Sequence, residues 1–445
     1  MKLICKILLL LVFASVIYAQ ETVDLDKSID IAIADSPMIK VYIEQLKQAK
    51  STIGLANASF NPTIAANAEY TRRGPKIENG GNVVSPDEAA DGGVTVTLPV
   101  DIGGTMKIYK DGAMSMYKSG EYDLLTGIYN LIESVKSNYL MVLLYKENID
   151  TAQSAFNLSK EYLEKVKQEV EAGTKANFDI TRQEFDLATR QNALVDAQGT
   201  YNQAVNNFNN VLGKEDNFVT PAPLSDINVA NVNMDSDLLN YAFENRTDLK
   251  KALQDQNTAD LYLLDAKKSN NPKLNIIGSY NHLFVNQTET KKDTWSATAN
   301  FSVPIFDGGI QKRNVEIQQS KLDAQKSQVE AIKQSIITGV LNSRLSVTTA
   351  LSQIETCKSS VKLAEEAYDI AKLRYESNLG TYLDVQSALD SLVSAKNSLT
   401  AAKYSYAISL CSLEKQIAST EKVYDYANII IDEVNKGKSD KKGAE

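Results

Sequence analysis

Few side chains of this 445-residue chain could make or break a bond. Its single histidine, His282, stands alone among alternating apolar and polar residues. Of three cysteines, Cys5 lies near the start, and Cys357 and Cys411 sit in helical periodicity. Redox or zinc chemistry needs paired cysteines or histidines at ligand spacing, and no C-x-x-C or H-E-x-x-H occurs. Phosphate chemistry needs a P-loop and acyl transfer a nucleophile elbow. Both are missing, and the Gly-Gly pairs lack the downstream phosphate-binding pattern. The carboxylates scatter along helix faces, where a solvated face is the default. The expectation is therefore no catalytic, cofactor-binding or metal residue. His282 reads as a packed or interfacial residue, and the two later cysteines as structural thiols.

The elements repeat. Residues 94–213 return at 299–418 with an offset of 205 and no gap: Leu98-Pro99-Val100-Asp101-Ile102-Gly103-Gly104 answers to Val303-Pro304-Ile305-Phe306-Asp307-Gly308-Gly309. After each Gly-Gly pair a proline-free helix of 67 residues is predicted, Thr105 to Glu171 and Ile310 to Glu376, about 100 Å each at 1.5 Å per residue. Polar turns follow, and shorter helices return to about 212 and 417. Val135, Val142, Ile149, Phe156, Leu163 and Val170 form a heptad series answered by Val340, Val347, Ile354, Val361, Tyr368 and Tyr375. In the second half small residues alternate with these: Ser343, Ala350, Cys357, Ala364 and Ala371 on one helix, Ala388, Ala395, Ala402 and Ser409 on its partner. Small residues let the helices approach, and bulky ones fill the holes opposite. The series shifts by four between Ile336 and Val340, a stutter that locally unwinds the supercoil.

Four segments alternate with period 2: about 63–70, 94–100, 273–284 and 294–305. They read either as two half-buried hairpins of a soluble sheet or as transmembrane strands, apolar toward lipid and polar toward a watery lumen. Four strands cannot close a barrel, since about eight is the minimum, so the second reading requires shared strands. A trimer supplies 12. Trp295 and Tyr280 stand where an aromatic girdle would sit.

Residues 1–19 read as a signal peptide: Lys2 and Lys6, an apolar run from Ile7 to Phe13, and a small-residue site at Ala19. Its removal takes the net charge from −9 to −11, a poor balance for nucleic-acid binding. Repeat 1 then covers 20–213, a connector 214–234, repeat 2 235–419, and a C-terminal segment with a disordered tail 420–445.

From Val23 to Ser419 the chain resembles the TolC-like outer-membrane efflux protein family, the outer membrane factor of tripartite efflux and type I secretion systems. The resemblance rests on Leu25 to Pro37 with Asn61-Pro62, on Asn245-Arg246-Thr247-Asp248-Leu249 with Asn271-Pro272, and on Val303 to Gly309. The tip patterns Glu171-Ala172-Gly173 to Asp179 and Arg374-Tyr375-Glu376 to Asp384-Val385 add to it. It implies a mainly α chain with membrane β. A homotrimer would form a 12-stranded outer-membrane β-barrel, four strands per chain, continued by a long periplasmic α-helical barrel. It further implies an exit duct that meets a periplasmic adaptor (membrane fusion) protein and an inner-membrane transporter, through tips that here hold Gly173, Thr174, Gly380 and Thr381. The family's constriction aspartate falls on Asp384, and its second aspartate is matched by Ser387. Of the tyrosine, arginine and aspartate that hold the family's tips closed, Tyr375 and Asp179 match, while Gly380 occupies the arginine position. Arg374 or Arg182 would have to substitute. The competing reading is a periplasmic or surface coiled-coil scaffold without a pore.

Overall fold

The structure, a computed structural model, describes residues 22–72, 74, 77–79, 82–85, 88–214, 219–223, 237–285, 293–377, 379–420 and 422–436. The signal peptide, Cys5, the last nine residues and most of the connector lie outside them. Among the described residues about 75% are helical, and the chain divides into two compact units.

The first unit comprises Met1–Lys40, Gly127–Arg246 and Ile336–Ala427. Here β1 (Thr22–Val23) pairs in parallel with β6 (Thr220–Pro221). Helix α1 (Leu25–Asp35) starts at Asp24, whose carboxylate accepts from the Lys27 N–H at 2.7 Å, an ordinary N-cap. Pro37 ends that helix and opens α2 (Pro37–Ala58), since a first-turn proline loses no hydrogen bond. Most of two long hairpins that follow the plan of the repeat belongs here: α3 (Thr105–Glu171) from residue 127 on with α4 (Asn177–Val211), and α7 (Ile310–Glu376) from residue 336 on with α8 (Tyr382–Ile417). Helix α5 (Leu238–Asn245) lies between them in sequence.

The second hairpin's seam closes as the heptads require. Val347, Ala350, Ile354, Ala402, Tyr406 and Leu413 form one buried cluster, with Cys357 packed at its side. Ala350 and Ala402 are the small positions against which the larger residues seat. Removing a side chain such as Ile354, 0% exposed, costs about 2–5 kcal/mol. Ile336 and Val340 are both buried, so the stutter keeps its apolar stripe inward on either side. Cys357 and Cys411 are free thiols.

The second unit comprises Val41–Thr126, Thr247–Ser335 and Asn428–Glu445. It holds helix α6 (Thr247–Lys267) and an antiparallel sheet of β2 (Thr63–Arg72), β5 (Glu88–Val100), β7 (Lys273–Val285) and β8 (Asp293–Ser302), in the order β2-β5-β7-β8. A small hairpin of β3 (Ile77–Asn79) and β4 (Asn82–Ser85) lies within a stretch that reads as a polar loop.

The strand bounds differ from the sequence expectation. The strand expected at 94–100 begins at Glu88, because 88–93 pairs with Asn67 to Arg72, and β2 correspondingly runs to 72 rather than 70. Glu88-Ala89-Ala90-Asp91-Gly92-Gly93 has weak strand propensity, and cross-strand pairing overrides it. Gly93 is required there, since a Cβ would overlap the Asn281 side chain. The strand expected at 294–305 runs instead from 293 to 302. Pro304 has no N–H to give to a ladder. The strand expected at 273–284 reaches Val285. Helix α9 (Lys422–Lys436) occupies most of the C-terminal segment. Its side chains reach back to α1 through Lys422 to Asp26 at 2.9 Å and Tyr426 to Asp30 at 2.5 Å.

Candidate functional site

No helix among the described residues is long and apolar enough to cross a membrane. The sheet offers another route. Its register places Ile64 beside Val96, Leu98 beside Ile276, and Tyr280 beside both Val94 and Trp295. Ala66, Ala68, Val100, Leu274, Ala297, Ala299 and Phe301 share that face. The other face carries Asn67, Glu69, Thr95, Thr97, Asn275, Ser279, Asn281, Ser296, Thr298 and Asn300. One face is therefore mainly apolar and the other mainly polar across all four strands, with Ile277 and Leu283 among the apolar exceptions on the second and His282 and Asp293 among the polar exceptions on the first. The apolar one is bare: Ile64 is 72% exposed, Phe301 63% and Trp295 80%. A soluble sheet buries such a face, whereas a strand against lipid presents it. The outer edges of β2 and β8 pair with no strand among the described residues. Ten-residue β2 and β8 match the 9–11 residues that span a bilayer. Tyr280 and Trp295 are cross-strand neighbours. His282 lies within β7, in register with Gly92 and Asp293, its Nδ1 2.7 Å from Asp293 Oδ1 and its ring against Phe284.

The helix tips belong to the first unit. Asp384 occupies the first turn of α8, exposed, as is Ser387 one turn on. Its carboxylate accepts from the Thr381 N–H and the Thr381 hydroxyl, both at 2.8 Å. The backbone donor foremost, then the hydroxyl, then nearby Arg374 hold that carboxyl below the usual range. Asp179 plays the same capping part in α4, accepting from the Ala176 N–H at 3.2 Å. Gly173 adopts φ 76° in the first turn, and Thr174 donates to the Glu169 carbonyl at 2.7 Å. Gly380 packs against the Arg374 backbone and Cβ.

The tyrosine and aspartate matched from the family do not meet within the chain, because Asp179 turns back onto its own helix. Tyr375 is buried and takes other partners. Lys175 donates to its hydroxyl and lies over its ring, 3.9 Å from the centroid. Lys175 also pairs with Glu169 at 2.9 Å. Burial works to lower the pKa of Lys175, but Tyr375 and Glu169 outweigh it and the ammonium is held above its ordinary value. Neither Arg374 nor Arg182 makes an ion pair among the described residues. The cation at Tyr375 is thus a lysine of the first hairpin's turn, which no arginine-based pattern would find.

A second polar group carries no sequence motif. Ser159 of α3, Gln183 and Asp186 of α4 are at most 1% exposed. Asp186 accepts from Ser159 at 2.7 Å, Gln386 at 2.7 Å and Tyr382 at 3.2 Å. Arg190 lies 3.3 Å from Asp186 and 2.5 Å from Asp390 of α8. Burial opposes the charge on Arg190, yet the two carboxylates raise its pKa. Three rings, Tyr162, Tyr375 and Tyr382, meet edge to face alongside, with centroids 5.8–6.3 Å apart. One signal was readable. At the offset of 205, Gln183 and Arg190 correspond to the seam alanines Ala388 and Ala395.

Comparison with known proteins agrees with this geometry. The model of the outer membrane efflux protein family matches residues 28–214 and 238–419. Nodulation protein T of Rhizobium leguminosarum bv. viciae is 21% identical over 364 residues, which cover 79% of this chain and 72% of that protein. The fold is similar to that of the CmeC outer membrane channel of Campylobacter jejuni, with a TM-score of 0.78 at 18% identity, over 92% of this chain and 89% of that one. It is also similar to the MtrE outer membrane channel of Neisseria gonorrhoeae in its open state, with a TM-score of 0.74 at 18% identity, over 88% of each chain. The chain belongs to the outer membrane efflux protein family, whose members are outer membrane proteins of efflux rather than enzymes.

Proposed function

We propose that three copies of this chain close a 12-stranded barrel and form a passive export duct gated at its periplasmic tips. The observation that carries this reading is the sheet: one mainly apolar face, one mainly polar face, and two ten-residue edges that pair with no strand among the described residues. Unpaired edges cannot stay bare in hydrocarbon, so β8 of one copy pairs with β2 of the next. Energy enters from an inner-membrane transporter through a periplasmic adaptor, which seats on the tips at Gly173, Thr174, Gly380 and Thr381. Asp384 and Ser387 line the narrowest aqueous point. There a ring of three carboxylates, one per copy, favours cations.

The test is reconstitution. The detergent-extracted protein should run as a trimer by native mass spectrometry and conduct ions in planar bilayers. A monomer that leaves the bilayer silent, or a protein that purifies without detergent, overturns the proposal.

A further inference from the structure

We infer that the copies join along a seam the chain already makes with itself: α7 of one copy takes α2 of the next in the register in which α3 takes α6. This rests on the reading that β8 of one copy pairs with β2 of the next.

The strands decide which helices become neighbours. Within the chain β5 pairs with β7. Helix α3 follows β5 and α6 precedes β7, and the two helices meet. Helix α7 likewise follows β8, and α2 precedes β2. Joining β8 to β2 of the next copy therefore sets α7 beside that copy's α2.

The seam between α3 and α6 is polar and closed. The Ser115 hydroxyl lies 2.8 Å from Thr258 Oγ1 and accepts from Gln254 at 2.5 Å and Asn257 at 3.0 Å. Ser119 donates to Asp255 at 2.5 Å, and Tyr262 donates to Met116 Sδ at 3.3 Å. Ser115 is 3% exposed and Thr258 8%.

The matching faces of α7 and α2 are bare. Helix α7 stands 205 residues after α3, and α2 stands 210 before α6, as Asn61-Pro62 stands before Asn271-Pro272. Ser115, Met116 and Ser119 thus correspond to Ser320, Lys321 and Ala324, which help to line an open groove of about 560 Å³ on α7. Gln254, Asp255, Asn257 and Thr258 correspond to Glu44, Gln45, Lys47 and Gln48, all four exposed. Ser320 and Ala324 keep small the two positions at which α3 holds serines, and small residues let a second helix approach.

The junction with the sheet shows the same contrast. Asn271 donates to the Gly103 carbonyl at 2.9 Å, and a Cβ at Gly103 would press on the Pro272 carbonyl. Gly308, which answers to Gly103, has open space around it. Beside it Ile305 and Phe306 are almost wholly exposed. Asn61-Pro62 of the next copy supplies the residue types that fill this place within the chain.

Disulfide trapping tests the register. Ser320→Cys with Gln48→Cys copies the approach of Ser115 to Thr258, and Ala324→Cys with Gln45→Cys copies that of Ser119 to Asp255. All four positions are exposed, so the substitutions leave the core intact. Ser320→Cys with Val41→Cys, and Ser320→Cys with Leu55→Cys, are controls one heptad out of register. Seven residues move a Cα by about 10 Å, more than the roughly 7 Å a disulfide can bridge. Each variant is oxidised in mild detergent with copper phenanthroline and run on a non-reducing denaturing gel. Covalent dimers and trimers from either in-register pair, at least about fivefold above both controls, support the proposal. Controls within that factor, or no covalent species from both in-register pairs while the wild type is a trimer, overturn it and leave the duct standing. A wild type that is monomeric by native mass spectrometry overturns the duct, and this register with it.

Discussion

A single arginine moved by one residue along β8 distinguishes a membrane wall from a soluble sheet. Ala297 and Thr298 are neighbours at the middle of the strand and both are exposed. Ala297 lies on the apolar face opposite Gly278, and Thr298 on the polar face opposite Ile277. At Gly278 a side chain would have open space around it, so an arginine at 297 meets no clash. What it meets is lipid. A charged side chain at the bilayer midplane of a barrel costs about 2–4 kcal/mol. At about 1.4 kcal/mol per tenfold, that is about a 30- to 700-fold loss in the ratio of folded to unfolded chain. Ala297→Arg should show this cost, while Thr298→Arg, facing water, should stay within about 0.5 kcal/mol of wild type. The assay is urea unfolding in phospholipid vesicles, read by tryptophan emission. Trp295 is the only tryptophan, two residues away on the apolar face, so the probe reports the strand under test. Equal costs for the two variants, or a larger one for Thr298→Arg, would refute the assignment of the faces.

Three further outcomes are expected. Asp384→Ala should reduce cation selectivity and divalent-ion block in planar bilayers; unchanged reversal potentials would remove this carboxylate from the pore. Asn209, 0% exposed, bonds the carbonyls of Val205 and Val219 and the Val219 N–H at 2.8–2.9 Å, so Asn209→Ala should cost about 2–4 kcal/mol in chemical denaturation, and a loss below about 0.5 kcal/mol would contradict that role. Burial pushes the Cys411 thiol up to about 11, so at pH 8 iodoacetamide should modify it on the order of 10²-fold more slowly in the folded protein than in urea, where a thiol titrates near 8.5. The folded state keeps the proton that the unfolded chain loses, so this thiol also makes the fold lose stability as pH rises from about 8.5 toward 11. Mass-spectrometric labelling at matched rates in both states would refute its burial.

Much of the fold was legible because its periodicities are long. Sixty-seven residues without proline carry a heptad pattern that no strand could use, and the bounds Thr105–Glu171 and Ile310–Glu376 follow from the Gly-Gly pairs and the polar turns. The strand faces were legible from alternation, but their ends were not. Glu88 to Gly93 looks like loop because its residues suit turns, and only the partners Asn67 to Arg72 and Asn281 make it strand. The aromatic pair, Trp295 with Tyr280, was found because both lie in a clean period-2 run. The tip partners were less accessible. Lys175 follows a glycine-containing turn, and nothing local marks it as the cation for a tyrosine two hundred residues later. Asp186 looked like one acid among many on a helix face, since sequence alone cannot tell a solvated carboxylate from one enclosed by a neighbouring hairpin.

The difference between the two halves carries more information than their likeness. Duplicated strands repeat the same alternation because each must satisfy the same lipid and the same water. Duplicated helices need not repeat their seams, since each seam meets a different neighbour. In the second hairpin the small positions are alanines beneath Tyr406, Val347 and Ile354, a dry contact that loses dispersion and burial together when it opens. At the positions of the seam alanines Ala388 and Ala395 the first hairpin instead carries Gln183 and Arg190: Gln183 donates to the Ser159 carbonyl of α3 within its own hairpin, while Arg190 reaches Asp390 of α8. Polar contacts of this kind can exchange partners with water or with other polar groups, so separation there costs far less than tearing an apolar seam. A gate built on this chain should therefore keep each hairpin intact and part between them, at the side chains where the repeat departs from itself.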